Sequence, residues 1–199
     1  MHPISRSLSL VLGFASAIGA FAGCGGGATP GVPGSELDGT WQTPCFDNRG
    51  FNFARTTLAY DNLALTGTFE EFEDAACTRA THVSHWTGIG VVSGTTAAGE
   101  SKLDLSFTAF TSTSETMANA DFNNMNAYCG ITDWAAGVER DVLGATCFGF
   151  SIPVGGESLD IYRVDGDTLR FGEGSMIGLD LPESARPTML STTQVFTRQ

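Results

Sequence analysis

The run Leu103-Asp104-Leu105-Ser106-Phe107-Thr108-Ala109 alternates apolar and polar side chains at every step. Successive side chains of an extended chain leave from opposite faces, so this segment is a strand with one dry face and one wet face. Strands of that kind belong to antiparallel sheets that cover a core on one side and meet water on the other. Similar signals recur along the chain. Leu37 to Phe46, Phe51 to Tyr60, Leu63 to Phe72 and Thr81 to Val92 all read as strands, the last with a bend at Gly88 or Gly90. Val142 to Ile152, Leu159 to Val164, Thr168 to Phe171 and Met189 to Thr197 read the same way, and Asp165-Gly166-Asp167 is a hairpin turn between two of them. The expectation is an all-β, antiparallel fold of eight or nine strands.

Residues 112–137 interrupt this pattern. Ser112 with Glu115 forms a capping-box signal, Ala118, Phe122, Met125 and Cys129 fall at helical spacing, and Gly130 supplies a stop. One short helical excursion is expected here, with a second turn of helix through Trp134 to Gly137. Phe122 and Met125 would face inward, with Asn123 and Asn126 outward.

Charged residues make up 16 % of the chain, below the roughly 25 % of ordinary soluble domains. The formal net charge is −12, and Lys102 is the single lysine. Such a surface repels phosphate, so nucleic-acid binding is not expected.

Residues 1–7 carry one charged side chain, Arg6, and residues 8–22 are apolar or small, ending in Phe21-Ala22-Gly23-Cys24-Gly25-Gly26-Gly27. A basic tip, a short apolar stretch and small residues are the order of a secretory signal. Small residues followed at once by cysteine resemble the lipobox of bacterial lipoproteins, with Phe21 where that family usually has an aliphatic residue. The resemblance implies removal of residues 1–23, acyl chains (palmitate among them) on Cys24, and a membrane partner through the lipid anchor. Gly25, where an aspartate would signal inner-membrane retention, implies the outer membrane. Residues 24–36 are rich in Gly and Pro and read as a lipidated tether, leaving residues 37–199 as one domain. Assigning Cys24 to lipid leaves Cys45, Cys77, Cys129 and Cys147, an even set that suits two disulfides in an oxidising compartment. Three connectivities are open. Cys45–Cys77 with Cys129–Cys147 is preferred, because sequential pairs join neighbouring strands and close short loops.

Leu37-Asp38-Gly39-Thr40-Trp41 at the start of a small antiparallel chain resembles the Gly-x-Trp opening of lipocalins, and Thr132-Asp133-Trp134 is faintly similar to their later Thr-Asp-Tyr motif. The resemblance implies a lipocalin-like barrel of about eight strands, to which a β-sandwich is the alternative. It also implies that Trp41 plugs one barrel end and that a late arginine, Arg186 or Arg198, stacks on it. Such a barrel can hold one small apolar ligand. Leu103, Leu105, Phe107 and Phe122 are the candidate ligand-binding residues.

Other chemistry is weaker. His82 and His85 stand three apart, and on a strand they point to opposite faces, which does not suit a metal site. No Gly-x-Ser-x-Gly elbow accompanies them, so no catalytic residue is assigned. Glu70, Glu71, Glu73 and Asp74 read as a solvated strand edge. Asp121 to Asn126 fails as an EF-hand loop because Met125 takes the fifth position and no Gly follows. The expected protein is therefore a non-enzymatic envelope lipoprotein without cofactor or metal, binding a small apolar ligand. The alternative is a structural or interaction module of the outer membrane with a filled barrel.

Overall fold

A computed structural model describes residues 34–199 apart from 49, 149 and 175. Cys24, residues 1–23 and all of the tether before Gly34 lie outside the described residues. Eight strands form a closed antiparallel ring: β1 (Gly39–Gln42), β2 (Asn52–Asp61), β3 (Ala64–Phe72), β4 (Ala80–Thr95), β5 (Ser101–Ser114), β6 (Glu157–Asp165), β7 (Thr168–Gly172) and β8 (Leu190–Arg198). Each pairs with its neighbours in chain order, and β8 returns to β1 through Trp41 opposite Arg198 and Gln42 opposite Thr197. The fold is thus an up-and-down barrel, with no free edge in the ring.

Three short strands flank the ring: Phe46–Asn48 on β2, Glu139–Asp141 on β5 and Met176–Gly178 on β6. The chain between Val142 and Ile152 is not the expected long strand. It folds into a separate two-stranded ladder, Thr146–Cys147 against Phe150–Ser151, because Gly144 and Phe148 turn through positive φ and Cys147 is tied elsewhere. The bend in β4 falls between Thr87 and Gly88, where the register to β5 shifts. The Asp165 turn is a two-residue hairpin, with Gly166 at φ 60.

Both disulfides take the preferred pairing, Cys45–Cys77 and Cys129–Cys147, closing loops of 32 and 18 residues. Each constrains the unfolded chain by on the order of 3–4 kcal/mol. Both lie at one barrel end, together with α1 (Met117–Met125).

The helix starts later than its sequence signal. β5 runs through Ser112 to Ser114, so Ser112 is a strand residue and cannot cap. Thr116 caps instead, accepting from the Asn119 N–H. The shifted start turns a different face inward. Asn123 is 3 % exposed, whereas Phe122 is 48 % and Met125 79 % exposed. Trp134 to Gly137 is not helical but ends in a turn.

Closing the ring also changes the acidic run. β3 is an inner strand, so these residues line no edge. Glu70 pairs with Arg55 at 2.9 Å, and Asp74 accepts from the N–H groups of Ala76, Thr78 and Arg79 in the loop that carries Cys77.

The opposite barrel end is closed by Trp41, which is fully buried and donates its Nε1–H to the Leu37 carbonyl at 2.6 Å. Arg198, not Arg186, stacks on it, with its guanidinium carbon 4.1 Å from the ring centroid. Its two terminal nitrogens donate to the carbonyls of Asp38 and Glu36. Ser35–Leu37 form a 3-10 turn here, and the Tyr162 hydroxyl donates to Glu36 at 2.5 Å. Arg198→Ala is expected to lower unfolding free energy in urea by about 1–3 kcal/mol. Arg198→Lys is expected to recover less than half of that, because a point charge cannot stack and bridge two carbonyls at once.

Candidate functional site

Alternation along the ring strands sends one face of each inward, but the interior is not filled. A cavity of about 640 Å³ lies inside the barrel, within the roughly 300–1,000 Å³ usual for small-molecule sites. Its wall draws on every ring strand except β1: Thr56, Leu58 and Tyr60 on β2, Leu65 and Phe69 on β3, Trp86 on β4, and Leu103, Leu105, Phe107 and Phe110 on β5. Asp160 on β6, Phe171 on β7, and Gln194 and Phe196 on β8 complete it.

Three of the four ligand-binding candidates, Leu103, Leu105 and Phe107, are therefore cavity residues. Phe122 is not. It lies outside the barrel, where its ring meets Phe148 at 6.1 Å and borders a shallow cleft with Phe51 and Phe72. Trp41 lies below the cavity, at the closed end. One glycine shapes the wall: a Cβ on Gly67 would sit 2.0 Å from Trp86 Cε2, so the indole occupies the space that a β3 side chain would take.

Under α1 the barrel end is polar. His82 is 4 % exposed, while His85 points outward to Thr68, the opposite faces expected of the pair. Asn123 Nδ2 donates to Ser114 Oγ at 3.0 Å and to Asn119 Oδ1 at 3.2 Å. That turns the Asn119 oxygen toward His82 Nδ1, at 3.2 Å, so Nδ1 carries the proton. His82 Nε2 then accepts from Ser112 Oγ at 3.2 Å, and Ser112 meets Ser84 at 2.8 Å. Ser84 lies on the cavity wall, so this chain connects the cavity to the helix.

Burial holds the His82 pKa below its ordinary value, against the opposing pull of Glu71, Asn119 and Glu115. The imidazole is neutral near pH 7. Its third partner is an amide, which orients the ring but does not give an imidazolium the carboxylate that a general-base relay uses. Tyr128, packed edge-on to His82 at 5.5 Å, has its phenol raised by burial.

Sequence reading missed Asp160, Tyr60 and the Ser84–Ser112–His82–Asn119 chain. The signal for the last was present: Ser112 and Ser114 continue the inward face that Phe107 begins, after a register shift. Among the described residues no group of three His, Cys, Asp or Glu side chains is placed to hold a metal ion, and no helix is long and apolar enough to cross a membrane. Comparison of the chain with protein-family models and with curated proteins gives no match.

The lowered His82 pKa has a stability consequence. Between the folded value and the unfolded value of 6.5, the unfolded chain binds a proton that the folded one does not. Stability contributed by neutral His82 is therefore lost as pH falls below about 6.5. The melting temperature is expected to drop from pH 7 to pH 5, and His82→Gln is expected to flatten that slope, measured by thermal unfolding across the range.

Proposed function

We propose that this protein is a non-enzymatic binding protein of a bacterial cell envelope, holding one small, predominantly apolar molecule in its barrel and attached to the outer membrane through lipid on Cys24. The cavity carries the proposal: about 640 Å³ of space inside the barrel with Leu and Phe walls and a few polar groups. A barrel built only as a scaffold would be expected to close-pack its interior. The lipocalin likeness is supported by Arg198 lying over Trp41. The anchor is supported by the lipobox-like run ending in Cys24 and by two disulfides, which fit an oxidising compartment.

A second reading, an interaction module, is favoured by the exposed apolar side chains around α1. Phe51, Met117, Met125 and Phe148 are all well exposed. The readings separate with N-phenyl-1-naphthylamine, an uncharged probe that fluoresces in apolar sites. The wild type is expected to bind it saturably with one site, and Leu105→Trp, which fills the cavity, is expected to weaken binding at least tenfold while leaving the circular dichroism spectrum intact. Absence of saturable binding by the wild type rules out the ligand reading and leaves the interaction module.

The anchor is tested separately. Full-length protein expressed in a Gram-negative host is expected to partition into the detergent phase of Triton X-114, and Cys24→Ser is expected to move it to the aqueous phase or leave it unprocessed. Wild-type protein that is aqueous and begins at a residue other than 24 overturns this part.

A further inference from the structure

The cavity is electrically one-sided. Of the 21 described residues that line it, none is Lys, Arg or His, and the single carboxylate is Asp160. Eight of the 21 are aromatic. We propose that the molecule this cavity holds is a cation, an apolar body bearing an amine or quaternary ammonium, seated with its charge beside Asp160 and its body against the rings. The inference rests on the ligand-binding reading above and names the ligand's chemical class.

Asp160 is placed by the barrel itself. Its Oδ1 accepts from the N–H of Ile161 at 2.7 Å and from the N–H of Gly172 at 2.9 Å. The second bond spans β6 and β7 where their regular ladder has ended, and the following register of β7 to β8 jumps between Arg170 and Gly172. Two amide donors hold the group in position. Its field reaches the opposite wall: after burial itself, Asp160 is the largest cause raising the Tyr60 phenol above its ordinary range. The phenols of Tyr60 and Tyr128 are both pushed up and stay uncharged at neutral pH.

Aromatic faces carry negative quadrupole charge, so they attract a cation and repel an anion. Phe171 precedes Gly172 and meets Phe196 edge-to-face at 5.7 Å, and both rings line the cavity with the carboxylate. Trp86, the strongest ring of this kind, faces the same space. A fatty acid would bring a second carboxylate into a space that already holds one, with no basic side chain among its described lining residues. A cavity of about 640 Å³ has room for roughly 20 water-sized groups, enough for a ten-carbon chain and a headgroup.

The test displaces N-phenyl-1-naphthylamine from wild-type protein with three compounds of one chain length: decyltrimethylammonium, decan-1-ol and decanoate. Each is used below its micellar concentration at pH 7 and 0.15 M salt, which screens the general acidity of the chain. The cation is expected to displace the probe at a concentration at least tenfold below that of the alcohol, and decanoate at one at least tenfold above. Asp160→Asn, which keeps an oxygen for the Gly172 N–H, is expected to reduce the cation's advantage below threefold without changing the alcohol. Trp86→Leu is expected to weaken the cation more than the alcohol.

Equal displacement by cation and alcohol, or strongest displacement by decanoate, overturns the cationic ligand and leaves the apolar cavity standing. Failure of the probe to bind the wild type overturns both. The wild-type ranking decides the matter even where a variant does not fold.

Discussion

Where β5 meets β6, the chain has left the ring at Ser114 and returned at Glu157 to pair with the strand it left. Ser101 to Ser106 run against Glu157 to Tyr162 in unbroken register. Every other sequential pair except β7–β8 is joined by a short connection, so this ladder is the closure that a long detour has to find. Its outer face is sealed by Arg186, buried, with Nη1 donating to the carbonyls of Leu103 and Asp160 at 3.1 and 2.7 Å. Asp104 and Glu183 balance its charge, and the hydrogen bonds from Arg186 and Lys102 draw the Glu183 carboxyl down to about 2. A guanidinium buried with this many partners is costly to strip of any one of them. The same two strands supply Leu103, Leu105, Ser158 and Asp160 to the cavity, so seam and cavity wall are one construction.

The barrel was legible in sequence because its strands are half-wet. β5 shows this best: Leu103, Leu105 and Phe107 alternate with Asp104, Ser106 and Thr108, and the first set faces the cavity. The disulfide pairing was legible for a simpler reason, that both loops are short. The Gly39-x-Trp41 signal found a plugged end, and the choice between Arg186 and Arg198 needed the fold, since it is β8 that puts Arg198 opposite Trp41.

The misread segments share a physical cause. A helix that lays its apolar side on a barrel turns Phe122 and Met125 inward. Here the barrel end is itself polar, with Ser112, Ser114 and His82 buried there, and Asn119 and Asn123 bond to them. The helix docks its amide side and leaves its apolar side out. Asp160 escaped notice because β6 is buried on both faces, with Ser158, Leu159, Ile161 and Tyr162 all buried, so alternation along it carries no information about inside and outside. Val142 to Ile152 kept its burial at both ends but lost its strand to two turns.

The two barrel ends are held by unlike means. At one, a tryptophan, an arginine and a 3-10 turn meet through stacking and hydrogen bonds alone. At the other, both disulfides stitch the connections that surround α1. Opening excursions of a native protein follow whichever contacts are weakest, in units that come away together. With the sulfurs joined, the noncovalent end is free to fray and re-form while the stitched end moves only with the ring. Under reducing conditions that ordering is lost, and the helix with its polar underside becomes a unit able to detach by itself. Joined or reduced, those sulfurs decide whether the connections around the helix are tied by covalent bonds or by noncovalent contacts alone.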